Sequence, residues 1–220
     1  MAVVTISRQY GSYGDEIAHR LCVILGYRYF DKKLICSLAA ELGLVGEDIV
    51  DFTEDGQIFQ TFLDQLVGRT RRTGQVRVWQ QNPNGTRMIK EQVIDSDCAM
   101  RLVQAAILEA YKDDGVVIVG RGGQAILKDK LDVLHVRIEA PWDQRIQYVE
   151  EHEKVNRVVA QELLIKKDNA AADYLRHFYK IEWDDPTLYH LVINTGKCGV
   201  ESAAQLIHQG VNLLIMPVAS

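Results

Sequence analysis

The stretch that decides the fold lies within the first twenty residues and reads Ile6-Ser7-Arg8-Gln9-Tyr10-Gly11-Ser12-Tyr13-Gly14-Asp15-Glu16-Ile17. It stands between an apolar, β-branched run over residues 2–7 and an amphipathic pattern over residues 15–25. The first pattern predicts a buried strand and the second predicts a helix. A strand, a glycine-bearing turn and a helix N-terminus together form an anion site, because unpaired backbone N–H groups and the positive end of the helix dipole face one point.

This turn occupies the place of a phosphate-binding loop but lacks the residues that define one. The consensus G-x-x-x-x-G-K-[ST] supplies a lysine for the phosphates and a hydroxyl for magnesium, and neither occurs here. The segment Gly11-Ser12-Tyr13-Gly14 is predicted to cradle a phosphate, and the alternative is a tight turn that needs glycine only for positive φ. Asp15 and Glu16 are interpreted as acids that complement the helix dipole rather than as metal ligands, so we predict no metal site.

Length and composition fit a single domain over residues 1–220. The 220 residues are 47% hydrophobic and 25% charged, which is ordinary for a globular chain with a sizeable core. The net charge of −5 predicts no general affinity for nucleic acid or membrane, and no apolar stretch approaches the ~20 residues that span a bilayer. The four cysteines are scattered and we expect no signal peptide, so the sequence predicts a cytoplasmic protein.

Strand and helix patterns alternate along the chain, which predicts an α/β fold with a parallel sheet covered on both faces. Ligands of such sheets bind at the carboxyl ends of the strands. The turn after the first strand, Gly120-Arg121-Gly122-Gly123 and Asn194-Thr195 all follow predicted strands. We therefore expect Arg121 to bind a phosphate, with a surface ion pair as the alternative. Arg8 is a candidate for the cation that the loop lacks.

An arm interrupts this alternation. Residues 76–79 and 86–89 alternate in polarity and flank Asn82-Pro83-Asn84-Gly85. An Asn-Gly turn between alternating segments predicts a β-hairpin. Such an arm would cover a site or pair with another subunit in a homodimer, and a simple surface excursion is the alternative.

Five segments carry a family resemblance. They are, in chain order, Val4-Thr5-Ile6-Ser7-Arg8-Gln9-Tyr10-Gly11-Ser12, Leu25-Gly26-Tyr27-Arg28-Tyr29-Phe30-Asp31, Val117-Ile118-Val119-Gly120-Arg121-Gly122, Phe178-Tyr179 and Val192-Ile193-Asn194-Thr195. Together they resemble the cytidylate kinase-like family, a branch of the P-loop nucleoside monophosphate kinases. The resemblance implies a three-layer α/β/α P-loop fold, an NMP-binding insertion over about residues 45–95 that includes the arm, and a helical lid over about residues 155–185.

The resemblance also implies an activity: transfer of the γ-phosphoryl of ATP to CMP or a similar small nucleotide, with Mg²⁺. The residues that it assigns to nucleotide binding are those of the loop: Gly11, Ser12, Tyr13, Gly14, Asp15 and Glu16. The residues that we expect to act in catalysis are Arg8, Arg121, Asp168 and Arg176. Of these, Arg8 is a substitute cation, and Arg176 lies beyond the lid pattern as a partial compensation for its lost arginines.

The chain departs from the family pattern at charged positions. The lysine of the true kinases falls on Gly14, and the magnesium-binding hydroxyl falls on Glu16. The lid pattern Asp-Arg-x-Arg keeps Asp168, but its two arginines are replaced by Asn169 and Ala171. Phosphoryl transfer depends on positioning and on charge stabilisation. Two interpretations follow: a nucleoside monophosphate kinase, or a degenerate, non-catalytic nucleotide-sensing or interaction protein.

Overall fold

The structure is a computed structural model that describes residues 2–30, 74–81, 87–94 and 96–215. The chain divides into two compact units, Asp31–Ile107 and the remainder, which joins Met1–Phe30 to Leu108–Ser220. The predicted insertion over residues 45–95 lies partly outside the described residues. The single-domain organisation and the bounds of the insertion and the lid remain predictions.

The elements of the described residues follow the predicted alternation. The strands are β1 (Val3–Arg8), β2 (Arg28–Phe30), β3 (Gly74–Gln81), β4 (Arg87–Ile94), β5 (Val116–Val119), β6 (Val133–Glu139) and β7 (Leu191–Asn194). The helices are α1 (Gly14–Leu25), α2 (Ser96–Lys112), α3 (Gly123–Ile126), α4 (Trp142–Glu153), α5 (Arg157–Tyr179) and α6 (Val200–Ile215), with a short 3₁₀ turn at Pro186–Leu188. Helix α3 was not predicted, because its four residues are too few to show a period.

Five strands form one parallel sheet in the order β2-β5-β1-β6-β7. Strand β1 lies at its centre, where Val4 pairs with Val117 of β5 and with Leu134 of β6. Crossover connections bring every strand into the sheet in the same direction, so all of the loops that follow the strands lie at one edge. The predicted parallel sheet is confirmed.

Helices cover both faces of this sheet and give the predicted three-layer α/β/α fold. On one face, Ile17 and Leu21 of α1 and Ile207 of α6 are fully buried against the apolar side chains of the central strands. Helix α3 covers the other face, since a Cβ at Gly123 would lie 3.2 Å from the Thr5 methyl group of β1. Helices α4 and α5 pack on each other through their own small core, which includes Ile146 and Leu164. No helix in the described part of the chain is long and apolar enough to span a membrane.

The second unit contains the predicted hairpin. Strands β3 and β4 pair antiparallel over eight residues each, in a register that places Val78 opposite Lys90 and Trp79 opposite Ile89. The hairpin is confirmed, whereas the Asn84-Gly85 turn lies outside the described residues. Its roles as a cover or as a dimer arm remain predictions.

Candidate functional site

The loop between β1 and α1 is fixed by the strand beside it. The Gln9 N–H donates to the carbonyl of Ile138 at 3.0 Å, and the Gln9 side chain accepts from the Ala140 N–H at 3.1 Å. The Ser12 hydroxyl donates back to the Gln9 carbonyl at 2.7 Å. Gly11 adopts φ +76°, and a Cβ there would lie 3.0 Å from the Arg145 carbonyl of α4. The backbone of the loop is therefore held by strand β6 on one side and helix α4 on the other.

The start of α1 presents backbone donors to this loop. Tyr13 takes the left-handed conformation, φ 63°, and no side chain caps the helix there. The first helical hydrogen bond runs from the Ile17 N–H to the Tyr13 carbonyl at 3.0 Å. Within the described residues, the N–H groups of Gly14, Asp15 and Glu16 have no acceptor in the protein. These donors and the helix dipole favour an anion at this point.

Arg8 places a cation beside these donors. Its side chain crosses Gly14, where a Cβ would lie 2.5 Å from the Arg8 Cβ, and ends beside Gly120, where a Cβ would lie 2.7 Å from Nη1. The Arg8 Nε donates to Oδ1 of Asp15 at 3.2 Å. The guanidinium therefore lies between the start of α1 and the end of β5, with Asp15 as its counter-ion.

The two acids of the first turn have separate partners. Asp15 pairs with Arg8, whereas Glu16 accepts a hydrogen bond from the Tyr148 hydroxyl of α4. Burial, together with this hydrogen bond to Glu16, raises the pKa of Tyr148. No group of three or more His, Cys, Asp or Glu side chains that could hold a metal occurs among the described residues.

Arg121 follows β5 in a tight turn. Gly120, Arg121 and Gly122 have consecutive φ values of 70°, 58° and 75°. A left-handed conformation is unfavourable for a residue with a Cβ, so Arg121 is held there by its surroundings. Burial raises the pKa of the Tyr29 phenol to about 12, and the charges of Arg8 and Arg121 both oppose this rise. Both guanidinium groups thus lie within electrostatic reach of the same hydroxyl group.

Asp168 lies at the loop, but its oxygens are engaged in structural contacts. Oδ1 accepts from the Tyr10 N–H at 3.0 Å, and Oδ2 accepts from Nη1 of Arg145 at 2.5 Å. The two side chains of this ion pair are 18% and 7% exposed. Asp168 therefore holds the middle of α5 against the loop.

Arg176 lies in the last turn of α5, and its partners belong to the same region. It pairs with Glu182 at 2.7 Å and with Asp173 at 3.3 Å, and all three side chains are more than half exposed. None of these contacts is with the loop. The structure thus brings Arg8 and Asp168 to the loop, places Arg121 in the turn after the neighbouring strand β5, and pairs Arg176 elsewhere.

Comparison with known proteins supports the resemblance found in the sequence. The model of the cytidylate kinase-like family matches residues 3–197, which is most of the chain. The chain belongs to the cytidylate kinase-like family. A cytidylate kinase from Methanocaldococcus jannaschii is 27% identical over 123 residues, a match that covers 55% of this chain and 66% of that enzyme.

Two solved structures support the fold of this cytidylate kinase-like protein. An uncharacterized protein from Eubacterium ventriosum matches with a TM-score of 0.61 at 19% identity, over 96% of this chain and 99% of that one. A shikimate kinase from Bacteroides thetaiotaomicron matches with a TM-score of 0.51 at 12% identity, over 96% of this chain and 98% of that one. At these identities the likeness concerns the fold alone.

The structure also places beside the loop a cation that sequence reasoning missed. The Lys167 ammonium lies 3.7 Å from the centre of the Tyr10 ring, so α5 supplies a positive charge directly at the loop. Burial lowers the pKa of Lys167, and the charge of Arg8 lowers it further. The signal in the sequence that could have indicated Lys167 is its place next to Asp168.

Proposed function

We propose that this nucleoside monophosphate kinase-like protein binds the phosphates of a nucleotide at the start of α1 and transfers phosphate from ATP to a small nucleotide acceptor such as CMP. One observation carries the proposal: the free N–H groups at the start of α1 and the cation Arg8 lie together at one edge of the sheet. Arg121 follows the neighbouring strand, and Lys167 reaches the loop from α5. Charge stabilisation of this kind is the main requirement of phosphoryl transfer.

The residues of the loop fit the phosphates of ATP, but they do not fit a Mg²⁺ ion held by protein side chains. The phosphates of ATP fit the loop, because the helix start offers three N–H groups and the Arg8 guanidinium lies beside them. The donor set does not fit a protein-held Mg²⁺, since Asp15 is paired with Arg8 and Glu16 accepts from Tyr148. The proposal therefore assigns the phosphate contacts to backbone N–H groups and side-chain cations, and it derives no step from the metal.

One observation favours the second candidate function, a nucleotide-sensing protein without catalysis. Asn169 and Ala171 stand where the resemblance implies lid arginines, and the retained Arg176 is paired with Glu182 away from the loop. The two candidates share the binding site and differ in turnover. Binding without measurable transfer would identify the sensing protein.

The binding site can be tested with two glycines that share a conformation. Gly11 and Gly26 have φ values of +76° and +67°, but only Gly11 lies in the loop, and nothing lies within 4 Å of a Cβ at Gly26. We expect Gly26→Ala to lower the free energy of unfolding by about 1 kcal/mol, because alanine is strained at positive φ, and Gly11→Ala to lower it further, because its Cβ also presses on the Arg145 carbonyl. Only Gly11→Ala should weaken ATP binding, by at least about tenfold in titration calorimetry, since its Cβ displaces the loop from α4.

The comparison between these variants decides the result. Wild-type protein that binds none of the common nucleotides, with or without Mg²⁺, would refute the proposed function. Equal affinity in Gly11→Ala and Gly26→Ala would place the nucleotide away from this loop.

A conservative change tests Arg121. We expect Arg121→Lys to weaken ATP or CMP binding about tenfold, because lysine cannot reproduce the two parallel hydrogen bonds of a guanidinium to a phosphate. The melting temperature of the free protein should stay nearly unchanged, because the positive charge is kept. The matched control is Arg176→Lys, an exposed arginine on α5, which should leave affinity unchanged. A large fall in melting temperature with unaltered affinity would show that Arg121 is structural.

A further inference from the structure

Two glycines make room for the Arg8 side chain. A Cβ at Gly14 would lie 2.5 Å from Cβ and 2.6 Å from Cγ of Arg8, and a Cβ at Gly120 would lie 2.7 Å from Nη1. Such distances are incompatible with any residue larger than glycine unless Arg8 moves. The stem of Arg8 therefore crosses the first residue of α1, and its guanidinium lies between that helix and the end of β5.

Compared with the phosphate-loop consensus, this chain has the cation and a glycine in each other's positions. With the consensus lysine aligned on Gly14, the first glycine of G-x-x-x-x-G-K falls on Arg8. The consensus has glycine at the end of the strand and a cation at the start of the helix. This chain has the cation at the end of the strand and glycine at the start of the helix.

We propose that Arg8 takes the part of the consensus lysine at this site, brought to the helix start from the end of β1, and that its pair with Asp15 opens when a nucleotide phosphate binds. This inference rests on the proposed function. It assigns to Arg8 a direct contact with the ligand and to Gly14 the task of leaving space for that contact.

The geometry of the ion pair supports the replacement of Asp15 by a phosphate as the partner of Arg8. Within the described residues, the Arg8 guanidinium makes one hydrogen bond, from Nε to Asp15 at 3.2 Å, so its terminal nitrogens keep their donors for a ligand. The two side chains are 35% and 54% exposed, and exposed pairs contribute little to stability. A phosphate offers an arginine two parallel contacts and more negative charge than a carboxylate.

The position of Arg8 is fixed independently of Asp15. Arg8 is the last residue of β1 and is in register with Ile138 of β6, so its Cα belongs to the sheet rather than to the flexible part of a loop. Its stem is confined by the start of α1 and its guanidinium by Gly120. A cation on such a support needs little ordering when a ligand binds.

The test is to restore the consensus residues at positions 8 and 14 and to measure ATP binding by titration calorimetry. Arg8→Gly removes the cation, and Gly14→Lys adds one whose stem collides with Arg8, so each single variant should bind ATP at least about tenfold more weakly than the wild type. The double variant Arg8→Gly/Gly14→Lys should bind at least about tenfold more tightly than either single variant, because the new lysine then has room. Thermal melting of each free variant checks that it is folded.

Two further variants keep the test decisive if a loop variant fails to fold. Arg8→Gln keeps most of the stem and should still lose at least about tenfold in ATP affinity. Asp15→Asn removes the competing carboxylate and should increase ATP affinity severalfold. Wild-type affinity in Arg8→Gln, or a double variant no better than the single ones, would overturn the role of Arg8 while leaving the proposed function intact. Absence of nucleotide binding by the wild type would overturn the proposed function itself, and this inference with it.

Discussion

Purified protein is expected to phosphorylate CMP at least about 10³-fold more slowly than a kinase with a complete lid. A single arginine that stabilises the transferred phosphoryl group contributes about 10³–10⁵ in rate. Here Asn169 and Ala171 occupy the two lid positions, and Arg176 is paired with Glu182. A coupled assay with ATP, Mg²⁺ and CMP measures this rate directly.

Restoring the lid arginines provides the control for this expectation. The double variant Asn169→Arg/Ala171→Arg should raise turnover, whereas Glu162→Arg, on an exposed position of the same helix, should not. Wild-type turnover within about 1–100 s⁻¹, the range of ordinary kinases, would contradict the expectation. It would mean that Arg8, Arg121 and Lys167 already supply the charge that the lid lacks.

Asp168→Ala is expected to lower the free energy of unfolding by about 3–5 kcal/mol. The carboxylate holds Arg145, which is 7% exposed, and its removal leaves a buried guanidinium without its counter-ion. It also leaves the Tyr10 N–H without its acceptor. Urea unfolding, followed by circular dichroism, measures the change.

Asp173→Ala, on the same helix, is the matched control. Asp173 also pairs with an arginine, but both side chains are more than half exposed, and such pairs contribute less than about 1 kcal/mol. If Asp168→Ala destabilised the protein no more than Asp173→Ala and still abolished transfer, Asp168 would act in catalysis, as the family resemblance implies, rather than in support of the loop.

The sheet could be predicted from the sequence because its signals are local. The β-branched runs that become β1, β5 and β6 and the glycine that ends α1 each depend on neighbouring residues. The turns at the carboxyl ends of the strands followed from the parallel order alone. The sequence alone therefore placed Arg8 and Arg121 at one sheet edge.

The partners of the charged side chains could not be predicted in this way. Asp168 meets Tyr10 across 158 positions of sequence, and Lys167 lies on the Tyr10 ring because of how α5 packs on the loop. No periodicity encodes such contacts. The Arg8 side chain has room because Gly14 and Gly120 have no Cβ. These two glycines are far from each other in the sequence, so composition does not reveal the space that they leave.

The contact of Asp168 with the loop bears on how the protein moves. Asp168 lies near the middle of α5 (Arg157–Tyr179), where it fastens that helix to the Tyr10 backbone. Helix α5 cannot move away from the loop as a whole unless this hydrogen bond breaks. Because the loop is bonded to β6 and Asp168 also pairs with Arg145 of α4, the middle of α5 is expected to stay in place, and any opening movement is confined to the turns of α5 on either side of Asp168.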